Sequence, residues 1–198
     1  MIEIKSNIHW VGVNDRRTAL FENYWPLPKG VAYNAYLIND EKVALIDTVE
    51  RGHMDDFIDQ IDEILKGKKI DYLIINHMEP DHSGAIRTLL AHYPELILVG
   101  NKKTFPMLKH YYGEVPNTLE IGEGDTLNLG EHTLQFHMVP MVHWPESMVC
   151  YEQTTNILFS HDAFGAFGTL DGGIYDDQLD LNYLEGEISR YYYYFVVI

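Results

Sequence analysis

The stretch that decides the fold is Ile74-Ile75-Asn76-His77-Met78-Glu79-Pro80-Asp81-His82-Ser83-Gly84, where an apolar run gives way to a cluster of potential metal ligands. Alternate side chains of an extended backbone point to the same side, so His77, Glu79 and Asp81 are predicted to converge on one point. Pro80 disfavours helical backbone at the residue before it and keeps this segment open. The order of strand, ligand-bearing loop and helix places these side chains at the carboxyl end of a strand, where α/β sheets hold their sites.

Composition and charge limit the classes of function open to this chain. Its 198 residues are 46% hydrophobic, enough for one sizeable core, and we predict a single domain over residues 1–198. A net charge of −16 argues against nucleic acid or an anionic membrane surface as a partner. No apolar run reaches the length of a membrane span and the chain starts without a signal-peptide pattern, so we expect a cytoplasmic location.

The single cysteine, Cys150, excludes an internal disulfide framework and a thiolate metal cage. It lies in a strand-like apolar run, which predicts a buried and inert thiol. Any metal site in this chain is therefore expected to use histidine and carboxylate ligands.

Hydrophobic periodicity predicts alternating strands and helices up to about residue 115 and mainly strands after it, a layered α/β pattern. Strands are predicted at 8–13, 33–38, 43–46, 71–75, 96–99, 118–121, 127–129, 133–139, 147–151 and 156–159. Helices are predicted at 54–65 with Gly67 as the end signal, at 83–93 with Ser83 as the cap, at 102–112 with a start or kink near Pro106, and at 178–192. Residues 21–30 and 165–177 are predicted to be loops.

Two further loops repeat the arrangement of the first motif. His143 follows the predicted strand at 133–139, and Asp162 follows the strand at 156–159. Asp47 closes the strand at 43–46, where it either caps a turn or supports a histidine ligand. A lone histidine or carboxylate in a loop is usually an ordinary polar residue, but several at strand ends are costly to cluster without a cation.

The candidate metal ligands are His77, Glu79, Asp81, His82, His143 and Asp162. Imidazoles and carboxylates without a thiolate suit iron, manganese or zinc. Two divalent ions would carry four positive charges, of which the three carboxylates would offset three. Asp162 is the one carboxylate outside the first motif, so it is suited to bridge two ions at the ~3.5–4 Å separation of two-metal sites.

These residues resemble the metal motif of the metallo-β-lactamase superfamily in its flavodiiron form. Most of the superfamily has a second histidine where this chain has Glu79, and the glutamate is typical of the di-iron branch. Residues 25–38, 45–48 and 158–165 are also similar to that family, and the resemblance runs from about residue 8 to residue 192. It implies an α/β (α+β) fold, the αββα sandwich of the superfamily, with the second half incomplete in this chain.

The resemblance also implies an activity and a role for each ligand. Flavodiiron proteins use two iron ions to reduce dioxygen to water or nitric oxide to nitrous oxide. Carried over by position, one iron would be held by His77, Glu79 and His143, and the second by Asp81, with Asp162 as the bridge and His82 beside the second iron. Tyr24, Trp25 and Tyr191 are candidate pocket walls, for which core packing is an equally good explanation.

Two features of the family have no counterpart in the sequence. One is a further histidine ligand from a loop after the last predicted helix; the other is a flavodoxin-like domain that binds FMN. We expect a separate chain or a second copy in a homo-oligomer to supply the missing part, with electrons from an FMN-bearing or rubredoxin-type partner. The competing interpretation is a truncated product that loads metal poorly, and the apolar, tyrosine-rich residues 193–198 would be adhesive if exposed.

Two other functions fit the same residues. A dinuclear zinc hydrolase would use a bridging hydroxide to attack an ester or amide, although Glu79 argues against it. A di-iron protein that binds or senses dioxygen without turnover would need no flavin domain. Metal analysis and rapid mixing with dioxygen distinguish these functions from the reductase.

Overall fold

The computed structural model describes residues 1–170, 173–179 and 181–194, except for the side chains of residues 181, 183 and 194. The strands are β1 (Ile2–Lys5), β2 (Ile8–Trp10), β3 (Val13–Asp15), β4 (Leu20–Phe21), β5 (Trp25–Pro26), β6 (Val31–Tyr33), β7 (Tyr36–Asn39), β8 (Val43–Ile46), β9 (Tyr72–Ile74), β10 (Ile97–Gly100), β11 (Thr118–Glu120), β12 (Thr126–Asn128), β13 (Thr133–Met138), β14 (Met148–Glu152) and β15 (Ile157–Phe159). The α-helices are α1 (Met54–Leu65), α2 (Pro80–Ser83), α3 (Ile86–His92), α4 (Thr104–Tyr112) and α5 (Leu181–Tyr194). Short 3₁₀ helices cover Arg51–His53, His161–Phe164 and Asp176–Gln178.

Two sheets form the centre of the molecule. The larger has the strand order β1-β2-β7-β8-β9-β10-β11, in which β8, β9, β10 and β11 run parallel and the remaining neighbours run antiparallel. The smaller is the antiparallel sheet β12-β13-β14-β15. Two small ribbons, β3-β6 and β4-β5, extend from the first part of the chain.

The alternation of side chains along β8 divides the core into two layers. Val43 and Leu45 belong to a buried cluster shared with helices α1, α3 and α4, whereas Ala44 and Ile46 belong to a cluster shared with the smaller sheet. Successive residues of a strand face opposite sides, so a strand buried on both faces is apolar throughout. The described residues therefore form a helix layer, a seven-stranded sheet and a four-stranded sheet, in that order.

The layers bring the carboxyl ends of several strands to one edge. Parallel strands β8, β9 and β10 end there with Asp47, Asn76 and Asn101, and all three of these polar side chains are buried. Backbone contacts join the two sheets at this edge, where Met148 N donates to Asn76 O over 3.1 Å. The loops that carry the predicted ligands therefore meet between the two sheets.

Most predicted elements are confirmed, and the differences have local causes. The predicted strand at 33–38 falls into two strands, β6 and β7, because β6 pairs with β3 whereas β7 pairs with β2 and β8. Between them, Asn34 accepts a hydrogen bond from Trp10 Nε1 over 2.9 Å. The prediction omitted edge strand β1, and it missed the short strands β4 and β5 in the predicted loop at 21–30. Helix α4 begins at Thr104, so Pro106 lies in its first turn, where no backbone N–H is needed.

The end of the chain follows its prediction in outline. Helix α5 covers most of the predicted helix at 178–192, and its Tyr191 belongs to the cluster on the helix side of the larger sheet. The tyrosine-rich segment at 193–198 lies mostly outside the described residues. Within the described residues, no helix has both the length and the apolar character that crossing a lipid bilayer requires.

Candidate metal centre

The segment after β9 is held at the sheet edge by Asp47. Its Oδ1 accepts a hydrogen bond from Asn76 N over 2.8 Å, while Oδ2 lies 3.9 Å from His82 Nδ1. Asp47 has a positive φ of 55°, a conformation that aspartate tolerates better than most residues. It therefore shapes the turn, whereas its distance to His82 Nδ1 is too long for a hydrogen bond, so its support of a histidine ligand stays a prediction.

The backbone of the motif differs from its prediction after Glu79. Glu79 is extended, with ψ at 143°, as Pro80 requires, but Pro80 then begins helix α2. Ser83 ends this short helix instead of capping the next one, and its hydroxyl contacts the carbonyl oxygens of Met78 and Glu79 at 2.9 and 3.0 Å. The alternation of an extended chain thus applies to His77 and Glu79 only, and Asp81 reaches the site from a helical turn.

Four of the six predicted ligands form one tight group. His77, Glu79, His143 and Asp162 each offer a ligand atom, and these four atoms lie within 4.8 Å of one another. His143 Nε2 is 2.9 Å from Glu79 Oε2, 3.2 Å from His77 Nε2 and 3.3 Å from Asp162 Oδ2. Two imidazole nitrogens and two carboxylate oxygens therefore point at one volume.

The other two predicted ligands lie beside this group. His82 Nε2 is 2.9 Å from Asp162 Oδ1, the second oxygen of a carboxylate whose first oxygen contacts His143. Asp81 Oδ2 lies 3.7 Å from the same His82 nitrogen. Asp162 thus stands between the tight group and the pair formed by Asp81 and His82, which is the position that a bridging carboxylate needs.

Charge pairing and burial shift the pKa values of these groups in opposite directions. Burial alone would lower the pKa of His143, but hydrogen bonds to Asp162 and Glu79 outweigh it and raise that pKa to about 9. Burial opposes ionisation of Glu79 as well, yet its contact with His143 contributes to lowering its pKa to about 2. Burial raises the pKa of Asp81 to about 7, and the nearby charge of His82 offsets this only in part.

Tyr191 of α5 closes one side of the site. It lines a cavity of about 50 Å³ together with Asp81, His82 and Asp162. Burial and the charge of Asp162, to which its hydroxyl hydrogen-bonds, raise the pKa of Tyr191 well above its ordinary value, so the phenol keeps its proton. Tyr24, the other tyrosine predicted as a pocket wall, is 72% exposed.

Sequence reasoning missed several side chains that touch the site, and two of them lie against His77. Glu146 is buried, and its Oε1 accepts hydrogen bonds from His77 Nδ1 and from Met78 N, each over 2.9 Å. Glu146 lies three residues after His143, so a carboxylate in the same loop was a usable signal. The other is His161, whose ring centroid lies 5.0 Å from that of His77. Its position next to Asp162 was its only signal in the sequence.

Unpaired buried atoms test whether this donor set fits a metal. Asp81 Oδ1, His82 Nδ1 and both ring nitrogens of His161 are buried and have no hydrogen-bond partner among the described residues. Buried polar atoms in proteins are nearly always paired, and burial without a partner is costly. Together with the converging atoms of the tight group, they fit a cation bound by nitrogen and oxygen ligands.

Comparison with known proteins identifies the family. The model of a family described as "ODP family beta lactamase" matches residues 31–188. The chain belongs to this ODP family. Over 194 residues this ODP-family chain is 37% identical to the anaerobic nitric oxide reductase flavorubredoxin of Aliivibrio fischeri, matching 96% of this chain and 39% of that protein. It is 34% identical over 193 residues to the nitric oxide reductase of Moorella thermoacetica, matching 96% of this chain and 48% of that protein.

Solved structures agree with this assignment. The ODP-family chain aligns with rubredoxin:oxygen oxidoreductase from Desulfovibrio gigas at a TM-score of 0.93 and 32% identity, over 98% of this chain and 48% of that one. With the flavodiiron protein from Giardia intestinalis the TM-score is 0.92 and the identity 30%, over 98% of this chain and 47% of that one. The resemblance to flavodiiron proteins and the predicted metallo-β-lactamase-like fold are confirmed. The chain spans less than half the length of each of these four relatives.

Proposed function

We propose that this chain is a di-iron oxidoreductase module that reduces dioxygen to water or nitric oxide to nitrous oxide. The observation that carries the proposal is the convergence of His77, Glu79, His143 and Asp162, with Asp81 and His82 beside them. Relatives of similar sequence or structure are named nitric oxide reductase and rubredoxin:oxygen oxidoreductase. Because the chain spans less than half of those proteins, their activity is part of the proposal.

The six predicted ligands would hold two iron ions. His77, Glu79 and His143 would hold one, Asp81 the other with His82 beside it, and Asp162 would bridge the two. Iron, when bound here, would supply electrons and Lewis acidity for the reduction. The anionic Glu79 favours a ferric ion more than a neutral imidazole would, because a carboxylate is the harder ligand.

The chain's own side chains would prepare the site for that chemistry. Glu146 accepts a hydrogen bond from Nδ1–H of His77, which leaves the Nε2 lone pair of His77 free to face the tight group. Tyr191 keeps its proton and donates a hydrogen bond to Asp162, so a neutral hydrogen-bond donor lies at the edge of the small cavity. Phe21 and Phe167 line the same cavity, and their apolar rings limit the entry of water.

Substrate would approach from a second, larger cavity. It has a volume of about 480 Å³ and is lined by Glu79 and Asp81 as well as by Tyr33 and Glu50. A diatomic molecule needs little of this volume, so the remaining space is available to water or to a segment of a partner. We propose that electrons come from an FMN-bearing or rubredoxin-type partner, and that a second copy or another chain completes the centre.

Anaerobic loading followed by rapid mixing tests this function. The chain is loaded with ferrous iron, its metal content is measured by elemental analysis, and the loaded protein is mixed with dioxygen or nitric oxide in the presence of reduced FMN. Two iron ions per chain and sustained consumption of gas are expected. The variant Asp162→Asn should lose both properties, whereas Asp59→Asn, a matched change on the exposed side of α1, should keep them.

Two results would contradict the proposal in different ways. Stoichiometric zinc with hydrolysis of an ester or amide, and no reaction of the ferrous form, would favour the hydrolase. A stable complex with dioxygen that does not turn over when reductant is present would favour a carrier or sensor.

A further inference from the structure

His161 has an unusual backbone conformation immediately before Asp162. Its φ is 40°, in the left-handed region that residues other than glycine seldom adopt, and it begins the 3₁₀ helix His161–Phe164 that follows β15. Such conformations persist where the surrounding structure holds them, and they concentrate at functional sites. The observation points to a use for the side chain that this conformation positions.

The imidazole of His161 lies among the predicted ligands. Its ring centroid is 5.0 Å from that of His77, with the two planes inclined by 32°, and 6.3 Å from that of His82, with the planes nearly perpendicular. In sequence it is adjacent to Asp162, the residue that stands between the two halves of the site. His161 therefore faces the centre from the side of the smaller sheet.

Both ring nitrogens of His161 are buried without a partner among the described residues. A neutral imidazole carries one donor and one acceptor, so burial leaves two hydrogen-bonding capacities unused. Asp81 Oδ1, on a side chain that lines the same cavity, is also buried without a partner among the described residues. Two neighbouring side chains with unused buried atoms indicate a missing common partner more than two separate defects.

The space for that partner is the small cavity beside Tyr191. Asp81, His82, His161 and Asp162 all line it, and its volume of about 50 Å³ is small. The donors around this cavity are carboxylate oxygens and imidazole nitrogens, which are the ligands that iron and zinc share. Two carboxylates, those of Asp81 and Asp162, line this cavity, so a cation is favoured over an anion.

We propose that His161 is a metal ligand, binding through one ring nitrogen the ion on the side of Asp81, His82 and Asp162. The inference rests on the proposed two-metal centre and adds to it a ligand outside the predicted set. It assigns a role to the left-handed backbone at His161, which directs the imidazole to the second ion. The first ion keeps its own ligands, His77, Glu79 and His143, and should depend little on His161.

Nitrogen NMR on the unsubstituted chain tests the ligation directly. The chain is labelled with ¹⁵N in its histidines, and long-range proton–nitrogen spectra are recorded before and after addition of two equivalents of Zn²⁺, a diamagnetic probe. We expect a metal-induced shift for one nitrogen of His161, in addition to those of His77 and His143. The variant His161→Asn identifies the signals by their loss.

The same spectra contain the results that would overturn the inference. Shifts at His77 and His143 with none at His161 would refute the ligand role and leave the proposed centre intact. Shifts at none of these histidines would refute the centre and the inference together. Because this measurement uses the chain without substitution, it holds even if His161→Asn folds poorly.

Metal affinity provides the second readout. Dissociation constants for the two Zn²⁺ equivalents are measured by competition with a chelator, for the parent chain, for His161→Asn and for His110→Asn, a matched change at an exposed histidine of α4. Loss of a partner behind a ligand typically weakens binding 10–100-fold, so loss of a ligand should weaken the second equivalent by about 100-fold. The first equivalent and His110→Asn should stay within about threefold of the parent. Equal second-equivalent affinities in all three proteins would overturn the inference.

Discussion

At the scale of single residues, the site depends on side chains that hold its ligands in place. Glu146 accepts from both His77 Nδ1 and Met78 N, so one carboxylate sets the orientation of His77 and the backbone beside it. Asp47 accepts a hydrogen bond from Asn76 N, and its second carboxylate oxygen lies 3.9 Å from His82 Nδ1. Ligand histidines commonly use their second nitrogen in this way, which determines the nitrogen that faces the metal.

Replacing Glu146 should therefore weaken metal binding without removing a ligand. Glu146→Gln keeps an acceptor oxygen but loses the charge, and we expect metal affinity to fall by about tenfold, at the lower end of the usual range for such partners. Competition with a chelator measures the Zn²⁺ affinity of the variant and of the parent chain. Glu95→Gln is the matched control, because the side chain of Glu95 is 81% exposed and pairs with Lys69 at the surface. Equal affinities of Glu146→Gln and the parent would contradict the role of Glu146.

Metal binding should also strengthen as the pH rises. In the metal-free site the pKa of Asp81 is raised to about 7 and that of His143 to about 9, so both groups carry protons at pH 6. A metal binds their deprotonated forms, so binding releases protons and affinity should rise by about tenfold per pH unit for each proton released. Titrations between pH 6 and pH 8 measure the slope, which Asp81→Asn should reduce by about half a proton on average, because Asp81 loses its proton within this interval. A slope near zero would show that these groups do not titrate on binding.

The same pKa shifts determine the sign of the effect on stability. A folded-state pKa above its unfolded value stabilises the fold below the unfolded pKa and ceases to do so above the folded one. For His143 that interval runs from the ordinary value of 6.5 to about 9. The metal-free chain should therefore lose stability as the pH rises through this interval, while the metal-loaded chain should not follow that trend.

At the scale of secondary-structure elements, the two sheets are joined by an apolar layer. Leu134 and Phe136 of β13, with Met148 and Cys150 of β14, pack against the larger sheet and are fully buried. Burial raises the pKa of the Cys150 thiol well above its ordinary value, as expected for an inert cysteine. The loop that carries His143 connects β13 to β14, and Asp162 follows β15, which pairs with β14. This packing therefore also sets the position of both ligands relative to the larger sheet.

Replacing a leucine of this layer by alanine should lower the free energy of unfolding far more than the same replacement on the outer face of the smaller sheet. Leu134→Ala should lower the free energy of unfolding by about 2–5 kcal/mol, the usual cost of a cavity in a core. Leu158→Ala makes the same chemical change on β15, where the side chain is 47% exposed, and should change stability by less than about 0.5 kcal/mol. Denaturant unfolding of the metal-free proteins measures both. Equal costs would mean that the sheets do not pack as described.

At the scale of the whole molecule, the larger sheet contributes one face to each of the two core clusters. The apolar faces of the helix layer and of the smaller sheet are both buried against this larger sheet. The prediction of a single domain over residues 1–198 therefore leads us to expect one cooperative unfolding transition. Calorimetry combined with circular dichroism would show separate transitions if that prediction is wrong.

Metal should stabilise the whole chain because its ligands come from distant parts of the sequence. An ion that binds only the folded chain, at a free concentration 100 times its dissociation constant, adds about 2.7 kcal/mol per site. For a chain of this length that raises the melting temperature by roughly 5–10 °C per site. Calorimetry with and without Zn²⁺ measures the shift, and a chelator should reverse it. Asp162→Asn should show little shift, and an equal shift in that variant would place the bound ions elsewhere.

Several elements could be predicted from the sequence because their causes are local. Helix α1 was predicted with its observed bounds, since its apolar spacing and the left-handed turn at Lys66 and Gly67 are properties of neighbouring residues. The break between β6 and β7 was not predicted, because it depends on the two strands pairing with different neighbours, which are distant in sequence. The local sequence predicts that Ser83 caps the start of the following helix. In the structure a short helix, α2, already begins at Pro80, so Ser83 lies at its end.

The identity of the cluster at the centre was determined by the sequence alone. His77, Glu79, His143 and Asp162 each follow a strand end, and the carboxyl ends of strands in such a fold meet at one edge. The tertiary structure decided what surrounds them. Glu146 and His161 are close in sequence to His143 and Asp162, but their contacts with His77 depend on the packing of the two sheets and, for His161, on a left-handed backbone.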